Sequence, residues 1–238
     1  MKFFTKEWYQ TMQNTGLGCL LEVETDAEKF SETYYRRLYH QEKEKWLFDR
    51  AEICEYLQEP FDKSREKKLF DMARRIQRQQ YELNLPEYIL EKIADIRVLA
   101  LNRCSKPVKE MIDSFAEDCK NKMEKVFEDY QEYECSQFSD SQPHFLKKFM
   151  FHDSRVLSMR KKGNNYLLSF EIDADDDWSV KRVIFENATI LKKEKQLAGA
   201  WWLYEEVHKT QEGYEICILF YKNGLFEVVL KCDNVILE

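Results

Sequence analysis

Apolar positions recur at helical spacing along the first 140 residues. Beyond about residue 150 they alternate, or run in short blocks between turn signals. Thr5 is placed to cap a first helix through Met12, and Gly16 and Gly18 break it. Asp26 is the expected N-cap of a long helix toward Leu57, with Phe30, Tyr34, Leu38, Trp46, Phe48, Ile53 and Leu57 inward and a slip of period near 40–46. Pro60 ends it, and Asp62 caps the next helix, which carries Glu66, Leu69, Ala73 and Ile76. Pro86 opens another helix, with a stripe of Ile89, Ile93, Ile96 and Ala100 flanked by Leu90, Ala94 and Leu101. Ser105 and Pro107 start a last helix that turns Val108, Met111, Ile112, Phe115, Cys119, Met123, Val126 and Phe127 inward.

The polar run over residues 136–143 marks a boundary, with a short helix expected over 143–150. Strands follow: Ser154 to Lys161, turning at Gly163-Asn164-Asn165 into Tyr166 to Asp173, then Val180 to Phe185 and Ala188 to Lys192. Ala200 to His208 turns at Gln211-Glu212-Gly213 into Tyr214 to Tyr221. Asn223-Gly224 is the dipeptide of a type I′ hairpin leading into Leu225 to Lys231, before a final short strand. Short consecutive strands with tight turns favour an antiparallel meander, a curved sheet or small barrel, over a parallel βαβ sheet. The expected fold is therefore α+β: an N-terminal bundle-like helical region, residues 1–140, packed on a C-terminal antiparallel region, residues 141–238.

Composition narrows the function. The chain has 238 residues, 34% charged, with a net charge of −7. Binding along a phosphate backbone, or to an anionic membrane surface, needs a surplus of Lys and Arg, so both are disfavoured. No window approaches the roughly 18 apolar residues of a membrane helix, and no signal peptide opens the chain. Seven cysteines without a C-x-x-C pair point to free, mostly buried thiols and a cytoplasmic location. Within the helical part, residues 62–82 form a basic helix (Lys63, Arg65, Lys67, Lys68, Arg74, Arg75, Arg78) and residues 110–134 an acidic one. Such faces are ordinarily solvated, and the sharper reading makes the basic helix a site for an anionic partner.

Candidate chemistry is sparse. In Glu171-Ile-Asp-Ala-Asp-Asp-Asp-Trp178, the aspartates Asp173, Asp175 and Asp177 alternate as calcium ligands do. Trp178 stands where such a loop requires glycine, and Ile184 where it requires a bidentate glutamate, so a hydrated turn between strands is the expectation. His40, His144, His152 and His208 form no H-x-x-x-H or H-E-x-x-H pattern. Gly16-Leu17-Gly18 lacks the third glycine of a phosphate-cradling loop, and there is no G-x-S-x-G elbow. No catalytic residue, metal ligand or cofactor is therefore assigned. The polar residues nominated for a site are His152 and Asp153, and Asp95 and Arg97, which bracket Ile96 at the edge of the apolar stripe. An ion pair with another helix is the expected use of Asp95 and Arg97. Trp201 and Trp202 point to opposite faces of a strand, so both faces of the sheet are expected to be partly covered; the alternative makes Trp201 and Trp202 candidate partner-binding aromatics, one of them exposed as an anchor.

Three segments, MKFFTKEWY at the start, LPEYILEKIADIRVLAL over 85–101 and FHDSRVLSMRKKGNNYLLSFEID over 151–173, together resemble an uncharacterised family of Firmicute proteins known only as a domain of unknown function. The run His152-Asp153-Ser154-Arg155 is also similar to the β portions of small bacterial proteins, some near toxin–immunity loci. The resemblance implies a bacterial protein with helices before strands; it carries over no activity and no functional residue. Together these readings favour a non-enzymatic interaction protein, immunity-like or regulatory, whose partner is another protein. The alternative is an enzyme with a site between the two regions. No oligomeric state follows from the pattern.

Overall fold

The computed structural model describes residues 1–139, 142–149, 151–171 and 180–238. In chain order its elements are α1 (Lys6–Gln13), β1 (Glu22–Val23), α2 (Glu32–Leu57), α3 (Lys63–Asn84), the single-turn helices α4 (Glu87–Leu90) and α5 (Ile96–Leu99), β2 (Arg103–Cys104) and α6 (Lys106–Gln137). The strands β3 (Ser154–Lys162), β4 (Asn165–Phe170), β5 (Arg182–Glu186), β6 (Thr189–Lys193), β7 (Trp201–Thr210), β8 (Gly213–Tyr221), β9 (Leu225–Cys232) and β10 (Asn234–Leu237) follow. The fold is α+β, with helices in the N-terminal half and an eight-stranded antiparallel sheet in the C-terminal part. The chain divides into two compact units, Gln13–Lys120 and Met1–Met12 with Asn121–Glu238. The division falls within α6, ahead of the polar run near residue 140.

In the helical unit, capping decides where helices begin. Ser31, not Asp26, caps α2: its hydroxyl accepts from the Tyr34 amide, while Asp26 lies in a 3₁₀ turn and pairs with Arg37. The anticipated slip of period is real. Tyr34, Leu38, Leu47 and Cys54 are buried along α2, whereas Phe30, Phe48, Ile53 and Leu57 are exposed. Asp62 caps α3 through the Ser64 and Arg65 amides, as expected. The stripe after Pro86 is buried at Ile89, Ala100 and Leu101, but it belongs to two single turns rather than one helix. Asp95 makes the break: with φ −150 its carboxylate accepts from the Arg97 amide and caps α5. A short polar side chain that bonds its own backbone competes with helix continuation. Each fully buried aliphatic here, such as Ile89 or Ile112, contributes about 1.5–3 kcal/mol.

The β-bearing unit holds the larger core, built on Trp202, Phe185, Phe220 and Phe226. Sheet order is β10-β5-β4-β3-β7-β8-β9-β6. The hairpins β3–β4, β7–β8 and β8–β9 are those expected, and both Asn223 and Gly224 adopt positive φ in the last turn. The meander fails between β5 and β6: a two-residue link joins them, yet β5 pairs with β4 and β10 while β6 pairs with β9 at the other edge. Two residues reach less than about 11 Å, so the sheet curls until its ends approach. It is not closed into a barrel by hydrogen bonds between the edge strands. A 3₁₀ turn, Leu146–Lys148, replaces the short helix expected over 143–150. Glu171 leaves β4 exposed and pairs with Arg155; Asp173, Asp175 and Asp177 lie outside the described residues.

None of the seven cysteines forms a disulfide; five are buried, and Cys19 and Cys135 are exposed. No described helix is long and apolar enough to cross a membrane.

Candidate functional site

A pocket of about 250 Å³ opens on the helical unit. Helix α2 supplies Tyr35 and Tyr39, one turn apart, and α3 supplies Asp71, Arg74, Arg75 and Arg78. Those four stand at i, i+3, i+4 and i+7, so one face of the basic helix lines the pocket. Helix α5 adds Arg97, and Ala100 and Leu101 close the floor.

Most of these charges are already engaged. Arg97 donates through Nε and Nη2 to both Asp95 oxygens at 2.8–3.2 Å, and Nη2 also reaches Glu32 on α2 at 2.8 Å. Its guanidinium lies 4.1 Å from the Tyr35 ring centroid. The Asp95 bonds first, then Glu32, hold its proton more firmly than usual. The expected ion pair to another helix is thus present, and its partner is Glu32. Arg78 pairs with Glu82 at 2.7 Å. Asp71 takes Lys43 at 2.7 Å and the Tyr39 hydroxyl. Burial alone would raise the Asp71 pKa, but these two donors outweigh it and hold the carboxyl below its ordinary value.

Arg74 and Arg75 differ from the others. Arg74 is half-buried with its guanidinium over Phe70, and Nη1 donates to the Ala100 carbonyl at 3.0 Å. Its Nε is fully buried without a hydrogen-bond partner. Burial pulls its pKa down; Glu42 offsets part of this, although Arg103 already engages Glu42 at 2.9 Å. Arg75 is exposed and has no carboxylate within ion-pair distance among the described residues, although its charge helps hold down the Asp71 pKa. A guanidinium does not shed its proton in a protein. The pocket therefore holds one half-buried guanidinium without an ion pair among the described residues and one exposed cation beside it, and an anionic group in the pocket would balance their charge.

The profile of a protein family of unknown function, DUF4085, matches residues 61–227, well over half of the chain. The chain belongs to the DUF4085 family. The DUF4085 match takes in α3 and α5, and with them Arg74, Arg75, Arg78 and Arg97, but leaves Tyr35 and Tyr39 of α2 outside. No curated protein matches the chain. No solved structure matches it.

The remaining nominated residues fall in the β-bearing unit, whereas Asp95 and Arg97 belong to the helical unit. His152 and Asp153 form the turn into β3: Asp153 has φ +62, its amide donates to the Trp202 carbonyl, and His152 Nδ1 sits 2.5 Å from the Leu203 carbonyl. Trp202 is fully buried among Phe149, Phe151, Phe170 and Phe220, so as a candidate partner-binding aromatic it is corrected: it has no surface to offer. Trp201 points the other way, 43% exposed, opposite an equally exposed Tyr221 on β8.

Sequence reasoning missed Glu206, His208 and Cys217, whose ligand atoms lie within 4.8 Å of one another. Spacing gave the Glu-x-His pair no signature, and Cys217 arrives from the neighbouring strand. The carboxylate is already saturated: Lys2, Phe3 and Phe4 donate backbone amides at 2.7–2.8 Å, and His208 Nε2 lies at 3.0 Å. Burial would raise its pKa, yet His208 and the three amides hold it below the ordinary value. Burial also pushes the Cys217 thiol up to about 12, against the thiolate a metal requires. The arrangement is an anchor for residues 2–4.

Proposed function

We propose that the protein is a non-catalytic binding protein that docks an acidic or phosphorylated segment of another protein, holding one anionic side chain in the arginine pocket. The observation that carries this is Arg74, half-buried with an orphaned Nε, beside the unpaired Arg75. At about 250 Å³ the pocket falls below the roughly 300–1,000 Å³ of small-molecule sites. That size suits a single phosphate or carboxylate carried by a larger partner. Arginine clusters recognise such groups through paired N–H donors. The net charge of −7 fits a local pocket better than a general polyanion surface.

Fluorescence anisotropy tests this with labelled peptides carrying phosphoserine, glutamate or alanine at one central position. Binding of the phosphoserine peptide is expected to weaken as salt is raised from 50 to 200 mM, and to fall at least tenfold in Arg74→Leu and in Arg75→Ala. Equal affinity for the alanine peptide, or indifference to both substitutions, overturns the reading. Arg75→Ala changes an exposed side chain, so its fold is safe where Arg74→Leu disturbs packing.

A further inference from the structure

A second cavity, of about 330 Å³, lies in the β-bearing unit between the last turns of α6, β7 and the segment before β3. Its walls are mainly aromatic: Phe127 and Tyr130 of α6, Phe4, Phe149, and Tyr204 of β7, with aliphatic surface from Leu146, Leu203 and Val207. Two acidic side chains face it, Glu134 and Glu205, and no lysine or arginine does. Neither carboxyl group has an ion-pair partner among the described residues. Glu205 Oε2 accepts from Trp202 Nε1 at 2.6 Å, while Oε1 has no hydrogen-bond donor among them. Glu134 accepts only a long bond, 3.3 Å, from the Tyr130 hydroxyl.

An apolar cavity with aromatic faces and two carboxyl groups lacking a counter-cation is the reverse of the arginine pocket. We propose that this cavity binds a small organic ammonium ion, its nitrogen between the Glu205 and Glu134 carboxylates and its hydrocarbon against Phe149, Leu146 and Leu203. The carboxylates supply charge-assisted acceptors, and Tyr130, Tyr204 and Phe127 offer ring faces that attract a desolvated cation. The volume is at the small end of ligand sites, which favours a compact amine.

The titration of the cavity supports the same ligand. Burial, and secondarily the Glu134 charge, push Glu205 up to about 7, and burial raises Glu134 as well. The other titratable groups facing the cavity are Tyr130 of α6, Tyr204 of β7 and His152 before β3; both tyrosines are held neutral by burial. A bound ammonium ion favours both ionised carboxylates, so binding near pH 6.5 releases protons, and affinity rises as pH climbs through 7.

Isothermal titration calorimetry with n-hexylamine, n-hexanol and hexanoate decides the matter, run at pH 6.0 and 8.0 and, at pH 6.5, in two buffers of different ionisation enthalpy. The expected result is hexylamine binding that is tighter at pH 8.0, accompanied by proton release at pH 6.5, with hexanoate excluded. Glu205→Gln and Glu134→Gln should each weaken it at least tenfold; neither change removes volume, and an unchanged or higher Tm shows that the fold persists. Hexanol binding as tightly as hexylamine, binding without proton release, or affinity indifferent to both glutamine variants overturns the proposal. The phosphopeptide assay above reads a different unit of the chain, so either proposal can fail alone.

Discussion

The helical unit and the β-bearing unit each set charged groups at the wall of a cavity, and they handle those charges in opposite ways. In the helical unit the groups are guanidinium ions, which stay charged whatever their surroundings. Arg97 and Arg78 are matched by carboxylates, whereas Arg74 has no ion pair among the described residues and only partial relief from the Glu42 charge. In the β-bearing unit the groups are carboxylic acids, which answer burial by taking up a proton; Glu205 does so up to about pH 7. One strand position further on, Glu206 is also buried yet held ionised, because three amides and His208 point at it. Burial alone therefore does not decide ionisation; the number of donors aimed at the group does.

The largest expected effect breaks that contrast at its best-compensated point. Glu206→Ala strands three backbone amides, that of Phe4 buried, and His208, and should cost about 3–5 kcal/mol of unfolding free energy in urea titrations at pH 7. Its folded-state pKa lies below the unfolded value. The stabilisation is therefore present above about pH 4.5 and lost as pH falls through the folded-state pKa. Glu205→Gln should act with the opposite sign. The raised pKa makes ionisation costly in the fold, a cost absent below about 4.5, growing from there and complete above 7. The variant should be more stable than the parent by up to about 3 kcal/mol at pH 8 and indistinguishable from it near pH 4.5, which thermal melts at the two values will read. A parent no less stable relative to the variant at pH 8 would falsify the raised pKa.

Smaller effects separate the committed arginines from the free one. Asp95→Ala removes the cap of α5 and the main partner of Arg97, and should cost about 1–2 kcal/mol by chemical denaturation. Arg75→Ala should stay within about 0.5 kcal/mol of the parent in stability, since it has no ion-pair partner to lose among the described residues. Inorganic phosphate at millimolar concentration should raise the parent Tm and leave that of Arg75→Ala unmoved. Stabilisation by phosphate that survives Arg75→Ala would place the anion elsewhere.

Much of the local structure was legible. Asp62, the Asn223-Gly224 turn and the alternation along β4 each announce their structure because the controlling interaction spans only a few residues. Asp26 and Ser31 are both acceptable caps, and Asp26 pairs with Arg37 while Ser31 caps the helix; Asp95, inside an otherwise continuous apolar stripe, bonds the Arg97 amide and interrupts the helix, a choice that apolar periodicity does not register. Phe30, Phe48, Ile53 and Leu57 fit an inward period on α2 and nonetheless face solvent, because that period slips along the helix.

The same distinction holds for the sites. Helical and strand periodicity, the change of character near residue 140, the lack of metal and nucleophile signatures and the basic face of α3 are properties of neighbouring residues, and the sequence by itself determined them. The Arg78–Glu82 and Arg97–Asp95 pairs lie within four residues, but that Arg97 also reaches Glu32 of α2, while Arg74 Nε is left without an acceptor among the described residues, was decided only by the tertiary structure. So were the curl that brings β5, next to one edge strand, close to β6 at the opposite edge, and the placing of Glu134 and Glu205 on one cavity. Charge compensation depends on distances of a few ångströms between groups tens to hundreds of residues apart, and nothing in the local pattern encodes those distances.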